Sequence, residues 1–466
     1  MTDDYDFDLL CIGSGPAGQR AAVQAAKAGR RSGLIERRTG VGGSCLNAGT
    51  IPSKTFREAV LNFAALRDHP ERRRFAKVEY RPTADQLLDR VDRVVQDECS
   101  VIEDQLRRND VAILRGQATF VDPHTVAVTS LDGRREVTAR NILVACGTRP
   151  ADPPGVASDG EVVLTSDDIN HLKTLPRSMV VVGAGVIGIE YASMFAAVGV
   201  EVVVVDRRER PLEFLDEEIV DELIHQMRRK KVTFRPREGV ERIEVVNGPP
   251  KKAIVTLESG KRITTDMVLF SIGRVGATGD LGIEAAGLKA DTRGRLSVDE
   301  CYRTVVPHIY AAGDVIGYPS LAATSSEQGR LAACHALGLP APPMASHFPI
   351  GIYAIPEISM VGEPEHVLTE RKEPYEVGIA RYREIARGQI LGDGDGLLKL
   401  LFAREDRRLL GVHIIGTGAT ELLHIGQTVL GLGGGLDYFL RTIFNYPTLA
   451  ECYKVAALNA ANKMSA

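Results

Sequence analysis

Two sets of glycines share one spacing, and each set is followed by an acid. Gly13, Gly15 and Gly18 fit G-x-G-x-x-G with Glu36 closing the next apolar run; Gly183, Gly185 and Gly188 repeat the pattern, with Asp206 equally far from the first glycine. The first glycine of such a set permits a tight turn, the second lets a diphosphate approach the backbone, and the third lets a helix pack on the strand. The helix N-terminus offers N–H groups and partial positive charge to phosphates, and the acid accepts hydrogen bonds from a ribose. One such turn could serve packing alone, but two with matching acids read as two dinucleotide sites. A third chemical stretch, GGSCLNAGTIPSK at 42–54, frames one thiol, Cys45, and one cation, Lys54, with glycines. A lone thiol there reads as core filler, metal ligand, nucleophile or the survivor of a dithiol pair.

These residues need particular elements to hold them. Residues 7–37 and 179–207 each read as strand, glycine turn, helix, strand, and their repetition is the main organisational signal. ARNILVACGTRP at 139–150 and TDMVLFSIGRV at 265–275 read as strands ending in glycine turns, the two crossings of a domain inserted into another. The stretch 304–336 gives a strand, Gly313-Asp314, a turn and a helix. Asp314 could accept hydrogen bonds from a polyol there, although an aspartate after glycine is also an ordinary turn former. From about residue 346 alternating strands give way to the apolar helices TELLHIGQTVLGLG and LAECYKVAALNAANKM. Those helices fit either contact with a second subunit or an internal core face. The fold class expected is α/β, with two Rossmann-like dinucleotide-binding domains and a C-terminal α+β dimerisation domain. Its divisions are expected at 1–150, 151–275, 276–345 and 346–466.

Composition narrows the class. A chain of 466 residues exceeds one ordinary core, and 44% apolar residues, 25% charged residues and a net charge of -4 show no bias toward nucleic acid or anionic membrane. The basic runs ERRR at 71–74 and RRKK at 228–231 read as solvated helix faces. No run approaches a membrane span, the acidic N-terminus lacks the features of a secretory signal, and a reducing cytoplasm is expected. The seven cysteines are scattered without metal-ligand spacing, and all but Cys45 are expected as buried small hydrophobes. Two dinucleotide sites in one chain imply one flavin (FAD) and one nicotinamide (NAD or NADP) partner.

GSGPAG with Glu36, GGSCLNAGTIPSK, ACGTRP, GAGVIGIE with Asp206, SIGR, YAAGD and FNYPTLAE occur in the order found in the flavoprotein disulfide reductases. The chain resembles that family, which includes lipoamide dehydrogenase, glutathione reductase and mercuric reductase, essentially end to end. The resemblance implies that Gly13, Gly15, Gly18, Glu36, Gly43, Ser44, Cys45 and Ala118 bind FAD, with Asp314 and the turn Ser320, Leu321, Ala322, Ala323 at its ribityl and ring edge. It also implies that Lys54 sits near the flavin paired with Glu190, and that Gly183, Gly185, Gly188, Asp206, Arg207 and Gly273 bind the nicotinamide dinucleotide. Lys54 and Glu190 could equally form a plain structural ion pair.

The sequence departs from the family in two places. Thr50 replaces the second cysteine of the redox pair, and Tyr446 in NYPTLAE stands where the family carries its acid/base histidine, while Glu451 is kept. A hydroxyl cannot resolve a mixed disulfide, and a phenol is a poor base beside an imidazole. Losing both removes dithiol exchange; what the resemblance then implies is hydride exchange between NADPH and NAD+ through FAD, in a homodimer or higher homo-oligomer. Cys45 then reads as packing against the flavin rather than as a redox thiol. Alternatives on the same fold are a diaphorase or quinone reductase, or a catalytically idle flavin-bound module. At the second site Asp206 favours a free 2′-hydroxyl, whereas Arg207 and Arg208 could bind a 2′-phosphate, a mixture suited to both nucleotides in turn.

Overall fold

The computed structural model describes residues 5–68, 81–153 and 155–464; the run ERRR lies outside them. Its first unit starts with β1 (Phe7–Ile12), whose Leu9, Leu10, Cys11 and Ile12 are all buried, as a parallel strand covered on both faces requires. Gly13 then turns the chain into α1 (Pro16–Lys27), with Pro16 at the first helical position, where its missing N–H costs nothing. β2 (Ser32–Glu36) pairs in parallel with β1. The short α2 (Gly43–Asn47) and α3 (Thr50–Asp68) follow, and α4 (Ala84–Arg108) begins in a capping box between Thr83 and Gln86. β3 (Ala112–Arg115), β4 (Gln117–Phe120), β5 (Thr125–Ser130) and β6 (Gly133–Val144) complete this pass, in the order β3-β2-β1-β6-β5-β4.

A crossing strand, β7 (Thr148–Pro150), leads into the second unit. There β8 (Val163–Thr165), β9 (Ser178–Val182), helix α5 (Val186–Ala197), β10 (Glu201–Val205) and helix α6 (Glu217–Arg229) build on the repeat. With β11 (Thr233–Arg235) and β15 (Met267–Phe270) the strands form a parallel sheet in the order β11-β10-β9-β15-β8. β12 (Val240–Val246), β13 (Lys252–Leu257) and β14 (Arg262–Thr265) make a separate antiparallel sheet before β15 (Met267–Phe270). The return strand β16 (Arg274–Gly276) pairs antiparallel with β7, so outgoing and incoming chains are tied to each other. β17 (Ile309–Ala311) then joins β6 in the first sheet, and α7 (Ala322–Ala336) packs back on α1. That packing requires Gly329, where a Cβ would lie 2.1 Å from the Ala17 carbonyl oxygen.

The third unit is an antiparallel sheet, β18 (Ile350–Ile352), β19 (Ile358–Gly362), β20 (Tyr375–Arg381), β21 (Leu397–Ala403) and β22 (Leu409–Ile415), ordered β18-β19-β22-β21-β20. Around it lie α8 (Glu365–Glu370), α9 (Ala386–Leu391), α10 (Ala419–Gly431), α11 (Leu436–Arg441) and α12 (Glu451–Met464). One apolar core crosses from α3 and α4 through the second unit into this sheet, with Phe56, Leu87, Phe195, Ile352 and Ile358 among its members. The third unit therefore reaches the other two by burial as well as by chain connection.

The expectation for the cysteines needs correction. Cys11, Cys334 and Cys452 are buried, whereas Cys99, Cys146 and Cys301 are half-buried. Cys146 follows β6 in a turn that faces a cavity, and Cys301 lies in the turn closed by Asp299 and Arg303. Among the described residues no helix is long and apolar enough to cross a membrane.

Candidate functional site

A cavity of about 960 Å³ opens where the three units meet. From the first unit it takes Gly13, Gly15, Glu36, Gly43, Ser44, Cys45, Lys54 and Ala118, and from the return segment Asp314, Ser320, Leu321, Ala322 and Ala323. The second unit contributes Glu190, Val186, Ile187 and Tyr191. Gly18 instead packs beneath the turn: a Cβ there would lie 1.9 Å from the Gly13 carbonyl oxygen. The remaining expected residues, Gly183, Gly185, Gly188, Asp206, Arg207 and Gly273, are not in the cavity wall and belong to the second glycine turn and its surroundings.

The two turns are built alike. Gly13 and Gly183 have φ of +107° and +106°, a region L side chains rarely enter. A Cβ at Gly188 would lie 1.9 Å from Gly183 O, the same approach as between Gly18 and Gly13. At the middle glycine the pattern reverses: beside Gly15 the space a Cβ would occupy is open, and beside Gly185 the nearest atom is Arg208 Nη2 at 3.9 Å. The geometry leaves the backbone approachable at the place where a diphosphate would meet a helix N-terminus. Buried Glu36 accepts from the Ser14 backbone N–H at 3.2 Å, from the Ser14 hydroxyl, and from the Arg38 N–H at 2.7 Å. The cradle fits a dinucleotide.

At the other end of the cavity Lys54 Nζ donates to Glu190 Oε2 at 2.8 Å and to Ser53 Oγ at 3.3 Å. The lysine side chain is 25% exposed and the glutamate 5%, so the pair joins α3 to α5 at the cavity edge rather than on the outer surface. The second oxygen of Glu190 accepts from the Tyr353 backbone N–H at 2.8 Å, and the Tyr353 ring lies 4.9 Å from Lys54 Nζ. The neighbouring main chain is held as firmly: Arg57 Nε donates to Ala354 O at 3.1 Å and Ile355 N–H to Ser193 Oγ at 2.9 Å.

Cys45 sits between these ends. Burial pushes its thiol above the ordinary range; a hydrogen bond with Thr50 works against that, Asp314 adds to it and Lys54 opposes it. Asp314 is raised by burial, with Arg274 and hydrogen bonds from Thr148 and Ser325 opposing. Arg274 is itself fixed by Thr148, at 2.9 Å to Oγ1 and 3.0 Å to the carbonyl oxygen, and by Asp167 at 3.1 Å. At the second turn Arg208, not Arg207, lies on Asp206; Arg207 is turned away to Glu258.

Tyr353, Thr420 and His424, all cavity-lining residues of the third unit, were missed by sequence reasoning, as were Ser14, Thr148 and Arg274. For Tyr353 the stretch GIYAIPEIS carried the only signal, an aromatic in an apolar run, indistinguishable from core. Tyr446, by contrast, is 69% exposed on this chain and does not line the cavity. Among the described residues no group of three or more His, Cys, Asp or Glu side chains is placed to hold a metal ion.

Known proteins share this arrangement. The family model described as pyridine nucleotide-disulphide oxidoreductase matches residues 7–329, and the dimerisation domain of the same family matches residues 348–457. A soluble pyridine nucleotide transhydrogenase of Mycobacterium bovis is 52% identical over 464 residues, covering 99% of this chain and 98% of the relative. One from Colwellia psychrerythraea is 42% identical over 469 residues, covering 100% of both chains. The crystal structure of LpdA from Mycobacterium tuberculosis superposes with a TM-score of 0.88 at 27% identity, covering 97% of this chain and 99% of that one.

Proposed function

The chain belongs to the pyridine nucleotide-disulphide oxidoreductase family, and from that membership we propose that it is a flavin-dependent transhydrogenase, moving hydride between NADPH and NAD+. The observation that carries the reading is Thr50. Where dithiol exchange needs a second sulfur the chain offers the Thr50 hydroxyl, while both glycine turns keep a geometry that suits a dinucleotide. When bound, FAD supplies the hydride chemistry, accepting two electrons from one nicotinamide and returning them to another.

The protein's own residues bind, orient and exclude. Gly13 makes the tight turn, Gly15 leaves its backbone open to phosphates, Gly43 packs closely against Gly15, and Glu36 is fixed by Ser14 and Arg38 to meet an adenosine ribose. Gly183, Gly185, Gly188 and Asp206 perform the same task for the substrate nucleotide. Lys54 holds positive charge at the cavity wall, and Glu190 with the Tyr353 ring keeps that ammonium from being a lone buried cation. Asp314 and the turn at Ser320 to Ala323 serve the polyol and ring edge.

Two copies pair through the third unit. The family model for that segment is a dimerisation domain, and Leu432, Ile443 and Leu458 stand exposed on this chain. A cytoplasmic location accords with relatives named soluble and with seven free cysteines.

The test is anaerobic stopped flow on the purified yellow protein. NADPH is expected to bleach the flavin and NAD+ to restore it, at rates that account for steady-state transfer to a thio-NAD analogue. Restoration by a quinone but not by NAD+ would make it a diaphorase, and a flavin that NADPH fails to bleach would make it an idle module.

A further inference from the structure

The two glycine-turn units part company at one arginine. In each, the terminal acid is followed two residues later by arginine: Glu36 by Arg38, Asp206 by Arg208. In each, the backbone N–H of that arginine donates to the acid, at 2.7 Å in the first unit and 2.8 Å in the second. The guanidinium groups then diverge. Arg38 reaches the Gly43 carbonyl at 3.5 Å, at the start of α2. Arg208 folds back on its own acid, Nε to Oδ1 at 3.0 Å and Nη2 to Oδ2 at 2.7 Å, while Ala184 N–H donates to Oδ2 at 2.5 Å.

Asp206 thus accepts from four donors, about the full capacity of a carboxylate. A ribose hydroxyl finds no free acceptor until Arg208 moves. A 2′-phosphate beside a bare Asp206 would meet like charge, but a guanidinium has five N–H donors in a fork and can serve carboxylate and phosphate together. Arg208 is free to do either: its side chain is 41% exposed, and Nη2 stands beside Gly185 on the open face of the turn. Of the other arginines, Arg207 pairs with Glu258, Arg210 with Asp221 and Arg237 with Glu209, whereas Arg235 meets Asp206 through its backbone carbonyl, which accepts from the Asp206 N–H.

We propose that Arg208 is the residue that lets one site take both nicotinamide dinucleotides. For the phosphorylated nucleotide its fork bridges Asp206 and the 2′-phosphate; for the other it swings off Asp206 and frees the carboxylate for the 2′-hydroxyl. This rests on the reading that the second unit holds the substrate nucleotide.

The test uses fragments that differ only at the 2′ position and carry no nicotinamide. Calorimetric titration of the holoenzyme with adenosine 2′,5′-bisphosphate and with 5′-AMP should show both binding to the wild type. In Arg208→Ala the bisphosphate should weaken by at least about tenfold, and 5′-AMP should stay within about threefold or tighten. In steady state the same variant should raise KM for NADPH with kcat unchanged and leave KM for NADH alone. An equal loss for both fragments, no loss for either, or a selective loss on Arg207→Ala instead, overturns the assignment. Selective fragment binding in a protein that fails to pass hydride between nucleotides would leave Arg208 assigned and remove the transhydrogenase reading.

Discussion

Cys45 is placed like a reactive thiol and behaves like a packed one. Its burial raises the thiol, and neither the Thr50 hydrogen bond nor the Lys54 charge reverses that. At neutral pH the sulfur keeps its proton, and a thiol is not the nucleophile. Cys45→Ser should retain more than about half of the wild-type kcat, and alkylation of Cys45 should be slow at neutral pH; near-complete loss of activity with FAD still bound would restore a chemical role to the sulfur. Lys54 carries the opposite lesson. Its partner Glu190 was legible as a pairing from the resemblance, but Tyr353, which engages both, was not, because an aromatic in an apolar run looks the same whether it faces a core or a cation.

At the scale of the element, the glycine turns are the most legible feature because their demands are local. Both first glycines take φ near +106°, and both third glycines pass their carbonyl partner where a Cβ would sit at 1.9 Å. Gly188→Ala must therefore push α5 off β9, with an expected cost of about 1–3 kcal/mol. The first turn is untouched, so the variant should remain yellow while losing nicotinamide nucleotide binding, which flavin absorbance and calorimetry read separately. A variant that binds NADH normally would mean that the close approach is relieved by a small backbone shift. Capping is equally local: Thr83 with Gln86 at α4 and Asp216 with two following acids at α6 are short-range patterns.

The whole molecule depends on a contact that no short pattern announces. Lys399 of β21 is buried and pairs with Asp216 at 2.9 Å, Glu218 at 3.2 Å and Glu365, tying α6 of the second unit to the sheet of the third. Removing the cation leaves buried Asp216 without its counter-ion beside two half-exposed glutamates, so Lys399→Met should cost about 3–5 kcal/mol in thermal or denaturant unfolding. His413 lies behind the cluster, its Nε2 on Glu363 O at 3.0 Å and its Nδ1 buried without a partner among the described residues. Burial depresses its pKa, with Asp216 opposing, so the folded protein keeps the ring neutral where the unfolded chain takes up a proton. Stability from that source is lost as pH falls below the unfolded imidazole value of about 6.5. Burial alone would raise Asp216, but His413, Lys399 and its hydrogen bonds hold it low, and its contribution is lost further into acid. The unfolding temperature should therefore drop between about pH 7 and pH 5, and His413→Gln should flatten the drop; an unchanged slope would remove His413 from the account.

The order of units, the two dinucleotide turns and the absence of a second redox sulfur were settled by residue identity, because turns, strand alternation and a missing thiol need only neighbours in the chain. Tertiary structure decided which arginine guards Asp206, which aromatic steadies Lys54 and which lysine braces the second unit against the third. Those choices depend on where a long side chain points and, for two of them, on what it meets from another unit, at separations of 163 residues for Tyr353 and Glu190 and 183 for Lys399 and Asp216. Sequence spacing carries no information about such a meeting until the shared core has fixed the three units against one another.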